Sequence, residues 1–263
     1  MVMQAVPPST NPFGSPRALA NSSYAAFKDG KLVRPRGGTC TGIEEFVHDS
    51  FRALVHNPKF SCVAAKSAIN LGNYRIGNYA VMGEEASLEG LAHDLYEFVQ
   101  EQPSFEGFST FVATFNAPAS GDELDFERRL WATLQRLHRI DRVHHTWDPA
   151  VSSDPESKDF SFSFAGRAFF LVGLHPGSSR FTRRFAFPTL VFNAHTQFEK
   201  LRADGKFERV QDVIRARDRA LQGDLNVNLA DYGEASEARQ YSGRAVEKDW
   251  RCPFHHANDD EAT

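Results

Sequence analysis

The chain has 263 residues, of which 41% are hydrophobic and 24% charged, values that are typical of a folded protein and exclude wholesale disorder. The net charge of −4 argues against a nucleic-acid partner, and no run approaches the roughly 18 apolar residues of a membrane span. Three cysteines and an N-terminus without a basic-then-apolar pattern predict a cytoplasmic protein that has no disulfide framework.

The first 40 residues predict a flexible leader, because five prolines interrupt them and their apolar residues follow no period. Order is predicted to begin at Thr41, which forms a capping box with Glu44 at the start of a helix. The domain is predicted to span residues 41–256, and residues 257–263 to form an acidic tail.

Three further helices are predicted in the first half of the domain. A short one follows Cys62, a second runs from about residue 87 to 100, and a long one starts at a second capping box, Ser120 with Glu123. Between the last two, residues 108–115 alternate enough to predict a strand.

The second half carries the predicted β core. Strands are expected at 160–164, 168–174 and 188–192, with a tight turn at Ala165-Gly166. Helices follow at about 195–204 and 206–222, the second with four arginines on its solvent side, and residues 223–254 read as mostly loop. The predicted fold is α+β: one domain with a small, antiparallel-type sheet, flanking helices and a long C-terminal wrap-around segment.

The segment from His175 to Arg184 is the strongest candidate for a site. An apolar strand ends at His175, which suits a metal ligand or an acid–base group. Arg180, Arg183 and Arg184 follow it, and arginine binds carboxylates and phosphates through paired hydrogen bonds. A strand end with solvated arginines is the structural alternative.

Two cysteines compete with His175 as metal ligands. Cys252 has an arginine beside it, and Cys62 has small neighbours that would let a flat ligand approach. Core packing is the alternative for both. The adjacent histidines at 144–145 and 255–256 lack the partners of a zinc motif.

Several segments together resemble the YqcI/YcgG family over roughly residues 45–254. The residues that carry the resemblance are Phe160 to Phe164, His175-Pro176-x-Ser178-Ser179-Arg180, Pro188 to Phe198, Ser236 to Arg244, and Trp250-Arg251-Cys252-Pro253-Phe254. One departure is Ser61, which stands before Cys62 where the family pattern would have proline.

The resemblance implies a heme protein that uses dioxygen and an external electron source, such as an electron-donor protein, to N-hydroxylate a guanidine-type or amino-acid nitrogen, as in the guanitoxin-pathway N-hydroxylase. Heme b needs an axial ligand, flat apolar walls and cations for its propionates. His175 is the expected iron ligand, with Cys252 and Cys62 as alternatives. The other expected heme contacts are Arg180, Arg183, Arg184, Phe164 and Phe170.

A small, arginine-like substrate would need an acid near the heme, for which Glu237, Asp154 and Glu234 are candidates, and His195 is a further catalytic candidate. Two other functions stay open on the residues alone. One is a heme-binding or heme-sensing protein without turnover. The other is a cofactor-free protein whose arginines hold a small anionic ligand.

Overall fold

The structure is a computed structural model that describes residues 11–118, 121–205, 207–223 and 235–256. Two short 3-10 turns occur at Gln102–Ser104 and Phe181–Arg183. The helices are α1 (Pro16–Asn21), α2 (Gly42–His56), α3 (Val63–Leu71), α4 (Glu85–Glu101), α5 (Glu123–Asp141), α6 (His195–Ala203), α7 (Phe207–Gln222) and α8 (Ala238–Tyr241). The strands are β1 (Ala25–Lys28), β2 (Lys31–Val33), β3 (Tyr74–Val81), β4 (Thr110–Ala117), β5 (Phe162–Phe164), β6 (Arg167–Leu174) and β7 (Thr189–Ala194).

The seven strands form one open sheet in the order β2-β1-β3-β4-β7-β6-β5. Only the β3–β4 pair is parallel among the strand pairs of the described residues. The predicted α+β fold with a helix-flanked sheet is therefore confirmed, although the sheet is larger than expected. No helix among the described residues is long and apolar enough to span a bilayer.

The two faces of the sheet carry different helices. The larger core cluster packs α4 and α5 against one face, through side chains such as Leu95, Phe98 and Leu134. A smaller cluster packs α2 and α3 against the other face, through Val47, Phe51 and Ile69. Because successive strand residues point to opposite faces, each strand contributes alternate side chains to the two clusters.

The predicted flexible leader is corrected by the structure over residues 11–40, which contain α1, β1 and β2. Ser15 accepts a hydrogen bond from the Ala18 amide and Pro16 occupies the first turn of α1, so this proline starts a helix. Asp29 and Gly30 both have positive φ and close the β1–β2 hairpin. Residues 1–10 and the tail at 257–263 lie outside the described residues.

Most predicted helices and strands are confirmed near their expected positions, but two features differ. The central strand β3 was not predicted, since Arg75, Gly77 and Asn78 break its apolar alternation. The N-cap of α5 is Asp122, which accepts from the Asp125 amide at 2.7 Å. Ser120, the expected cap, lies outside the described residues.

Replacing Thr41 by alanine tests the confirmed capping box of α2. Thr41 accepts the Glu44 amide, and Glu44 accepts the Thr41 amide at 2.7 Å. We expect Thr41→Ala to lower the free energy of unfolding by about 1 kcal/mol, because orphan amides at the helix start lose a partner. Urea unfolding measures this free energy, and Thr41→Ser is the control that keeps the hydroxyl. Equal losses of stability in the two variants would contradict the capping box.

Candidate ligand cavity

A cavity of about 300 Å³ lies on the α2–α3 face of the sheet. Its floor is formed by alternate residues of β6 and β7, namely Phe170, Val172, Leu174, Val191 and Asn193. The N-terminal part of α3 forms one wall, and α6 and α7 form the cover. Most of the lining is apolar, and three phenylalanines supply flat surfaces from the helices: Phe51, Phe198 and Phe207.

The charged lining of the cavity is mostly positive. One carboxylate, Glu237, lines the described part of the wall, together with five cations. The cations are Lys158, Arg180, Arg183, Arg202 and Arg215. Burial lowers the pKa of His195, the remaining titratable base in this wall, so its imidazole is neutral at pH 7. The arrangement suits a ligand that is apolar over most of its surface and carries anionic groups.

Glu237 is the buried acid of the cavity. Its Oε1 accepts hydrogen bonds from the hydroxyls of Ser161 and Tyr241. Burial raises the pKa of the Glu237 carboxyl to about 7, and these two hydrogen bonds and the charge of Arg202 act in the opposite direction. Glu237 therefore exchanges a proton in the physiological range, which is a property of acid–base groups in functional sites.

Glu237 makes the stability of the fold depend on pH. Its pKa rises from 4.5 in the unfolded chain to about 7 in the folded one. The folded state binds the proton more tightly between these values, so stability falls as the pH rises through this window. Between pH 4.5 and pH 8, we expect the natural chain to lose about 3 kcal/mol of unfolding free energy relative to Glu237→Gln, which does not titrate at this position.

Urea unfolding of both chains at the two pH values measures this change. Glu106→Gln serves as the control, since Glu106 is an exposed acid away from the cavity. A stability difference that is the same at both pH values would contradict the titration of Glu237 in the folded protein.

Cys62 lines the cavity at the start of α3. Its Sγ accepts the amide of Ala65 at 3.4 Å as the N-cap of that helix. Burial raises the pKa of the Cys62 thiol above its usual value, although backbone amides and the nearby Arg183 oppose this rise. A soft donor at a positive helix end, beside an arginine, suits a metal ion that binds thiolate.

The structure does not bring His175 to the cavity. The neighbouring Leu174 points to the cavity face, so His175 points to the opposite face of the sheet. There its ring stacks on Phe126 of α5 with ring centroids 4.4 Å apart. Burial lowers the pKa of His175, as expected for an imidazole packed in a core.

The three arginines that follow His175 separate into two groups. Arg180 and Arg183 line the cavity, and Arg183 also donates to the Gly173 carbonyl at 3.1 Å. Arg184 is not part of the lining; it donates to the Ser178 carbonyl at 2.6 Å and lies over the Phe181 ring.

The remaining predicted site residues divide in the same way. Phe170, His195 and Glu237 line the cavity. Phe164 and Cys252 belong to the larger core cluster, where burial raises the pKa of the Cys252 thiol to about 12. Asp154 is exposed and caps a turn by accepting the Glu156 amide. Glu234 lies outside the described residues.

Some lining residues were missed because the pattern of a single helix does not reveal its neighbours. Arg215 was assigned to the solvent side of its helix, but it lines the cavity. Lys158 and Arg202 also line it, although neither was predicted as a site residue. The side chains of Asn193 and Gln197 bond to the backbone: Asn193 donates to the Phe170 carbonyl, and Gln197 accepts the Ser109 amide at 2.8 Å.

A sequence model of the YqcI/YcgG family matches residues 51–255. The chain belongs to the YqcI/YcgG family. It is 28% identical over 205 residues to the uncharacterized protein YcgG of Bacillus subtilis strain 168. The aligned region covers 74% of this chain and 80% of that protein. No solved structure matches the present chain. The family match includes all of the described cavity-lining residues. Neither description names an activity, so N-hydroxylation stays a prediction for this YqcI/YcgG protein.

Proposed function

We propose that this protein binds heme b in the cavity and is a heme-dependent monooxygenase that N-hydroxylates a guanidine-type or amino-acid nitrogen with dioxygen. The observation that carries the proposal is the combination of groups in one cavity. A soft donor, aromatic walls and several arginines are the three things that a heme pocket has to provide. The resemblance of the sequence to N-hydroxylases adds the reaction.

The donor set of the cavity decides which residue we assign as the iron ligand. His175 and Cys252 do not line the cavity, whereas Cys62 and His195 do. We assign Cys62 as the residue that would hold the iron, because its Sγ lies at the α3 N-terminus, where backbone amides and Arg183 oppose the rise in the thiol pKa that burial causes. His195 is the rival, although its Nε2 lies 3.8 Å from Glu199 Oε1 and is thus oriented toward a carboxylate.

The other residues have roles that follow from their charge. Arg180 and Arg183, which line the cavity, would pair with the propionates, and Phe170 would pack against the ring. Bound heme would supply dioxygen activation, which protein side chains do not provide. Glu237 would hold or release a proton at the ligand, since its pKa lies near neutral pH. An external electron source, such as a donor protein, is required.

Titration of the purified protein with hemin tests the proposed binding. We expect one equivalent to bind and the reduced, carbon-monoxide-bound protein to have the absorption of a thiolate-ligated heme. Absorption typical of imidazole ligation would instead indicate that His195, and not Cys62, is the iron ligand. A protein that binds no hemin would overturn both the heme site and the oxygenase.

Turnover is tested separately, with arginine and simple guanidines as substrates under dioxygen and a reductant. Hydroxylated product supports the oxygenase. Stable heme binding without product from any of these compounds would favour a heme-binding or heme-sensing role. Omission of dioxygen is the matched control, because a monooxygenase forms no product without it.

A second candidate, a cofactor-free binder of a small anionic molecule, is favoured by the charge of the cavity. Five cations face one acid in the described wall, and that acid is partly protonated at neutral pH. Calorimetry with small aromatic carboxylates distinguishes the two candidates. If the protein binds such a compound tightly and does not bind hemin, the result would support this second function.

A further inference from the structure

The hydroxyl of Tyr241 has two acceptors within reach. One is Glu237 Oε1, and the other is the Phe169 carbonyl at 3.2 Å. A phenol donates a single proton, so it serves only one acceptor at a time. When Glu237 is ionised, the proton of Tyr241 stabilises the carboxylate. When Glu237 is protonated, Tyr241 can donate to the Phe169 carbonyl instead. The neutral carboxylic acid does not need the hydrogen bond that stabilises the carboxylate.

The hydrogen bonds of the Glu237 side chain within the described residues all reach one carboxyl oxygen. Ser161 and Tyr241 donate to Oε1, and Glu237 lines the cavity. The second oxygen, Oε2, is therefore the one left for a ligand. As a neutral acid, this group donates a hydrogen bond to an anion; as a carboxylate, it repels one.

We propose that Glu237 forms a subsite for the anionic group of an apolar small molecule, and that the anion enters the cavity together with a proton that Glu237 holds. The carboxylic acid then donates a hydrogen bond to the ligand's carboxylate or sulfonate, and Arg202 supplies the balancing positive charge. This inference rests on the cavity being the ligand site of the proposed function, and it does not require the ligand to be heme.

Among the described groups around Glu237, its own carboxyl is the one whose pKa is shifted to about 7, within the range from pH 6 to pH 8. From α8, Tyr241 stays protonated, because burial raises its pKa well above the usual value. From α6 come Arg202, which pairs with Glu199, and His195, whose pKa is lowered by burial. The other charged residues of the described wall are Lys158, Arg180, Arg183 and Arg215, and burial raises the pKa of the Cys62 thiol there.

Two fluorescent dyes that differ by one sulfonate test the subsite. 8-Anilinonaphthalene-1-sulfonate carries a negative charge at every pH used, and N-phenyl-1-naphthylamine has the same rings without it. We expect the sulfonate dye to bind about tenfold more weakly at pH 8 than at pH 6, as follows when only the protonated form of Glu237 accepts it. The neutral dye should change less than twofold.

Glu237→Gln is the matched variant, since glutamine keeps the shape and does not titrate. We expect the sulfonate dye to lose its pH dependence there. Equal weakening in the natural chain and the variant, or tighter binding at high pH, would overturn the inference. Failure of both dyes to bind at any pH would contradict the cavity as a ligand site and, with it, the proposed function.

Tyr241→Phe provides a second, independent measurement. The variant keeps the acid and removes one donor to its ionised form, so the pKa of Glu237 should rise. We expect the midpoint of the pH dependence to move upward by about one unit. Infrared spectra with the sulfonate dye bound should also show the carbonyl band of a protonated carboxylic acid at pH 7.5, absent in Glu237→Gln. A midpoint that is the same in Tyr241→Phe and the natural chain would contradict the subsite. A carboxylic acid band that is also present in Glu237→Gln would contradict it as well.

Discussion

Cys62→Ser is expected to abolish the thiolate-type absorption of the hemin complex and to weaken hemin binding by more than about a hundredfold, the upper end of what an outer-shell change costs a metal site. The cause is the loss of the soft donor at the α3 N-terminus, where Sγ accepts the Ala65 amide. Serine has nearly the same size and can still cap the helix. The effect on hemin should therefore far exceed the effect on stability, measured by urea unfolding.

Cys252→Ser and His175→Ala are the controls for this prediction. Both residues are buried, but neither lines the cavity. We expect both variants to keep thiolate-type absorption, in contrast to the sequence-based expectation that His175 holds the iron. Loss of heme by His175→Ala with retention by Cys62→Ser would refute the assignment made from the cavity.

Arg244→Met is expected to lower the free energy of unfolding by about 3–5 kcal/mol. The Arg244 Nε lies 2.7 Å from Glu127 Oε2 of α5, and both residues are less than one-tenth exposed. Removing the arginine leaves the carboxylate of Glu127 buried without its main partner, which costs far more than a surface ion pair contributes. This pair also fastens the segment after α8 to α5.

A double variant separates charge from packing at this position. Arg244→Met combined with Glu127→Gln should recover most of the loss, since the second change removes the stranded charge. Arg128→Met, which breaks an exposed pair with Asp125, is the surface control and should change the stability far less than Arg244→Met. A loss for Arg244→Met as small as that of the control would contradict the buried pair.

The sequence predicted those helices and strands whose periodicity is regular. The Thr41 capping box and the alternating run before Ala165 are local signals, and both are confirmed. β3 could not be predicted in the same way, because it is buried between neighbours that shield its polar residues: Arg75 pairs with Glu101 of α4. The pairing of distant segments, and not local propensity, determines such a strand.

The candidate site was predicted in part. Of the residues that the sequence named for the site, Arg180, Arg183, Glu237 and His195 line one cavity. It could not tell on which face of the sheet His175 lies, since a shift of one residue along a strand reverses the face. Cys62 was ranked below His175 because Ser61 precedes it where the family pattern would have proline, and the shared cavity of Cys62 with β6 and β7 is not visible in the local sequence.

The cavity occupies one face of β6 and β7, while the main core is built on the other face. Val172 and Val191 can therefore change size and alter the shape of the cavity with little disturbance to the side chains that hold α5 in place, such as Leu134. A fold divided in this way permits ligand preference to diverge among related sequences while the scaffold stays the same. Relatives as distant as 28% identity can then share the architecture and differ in what they bind.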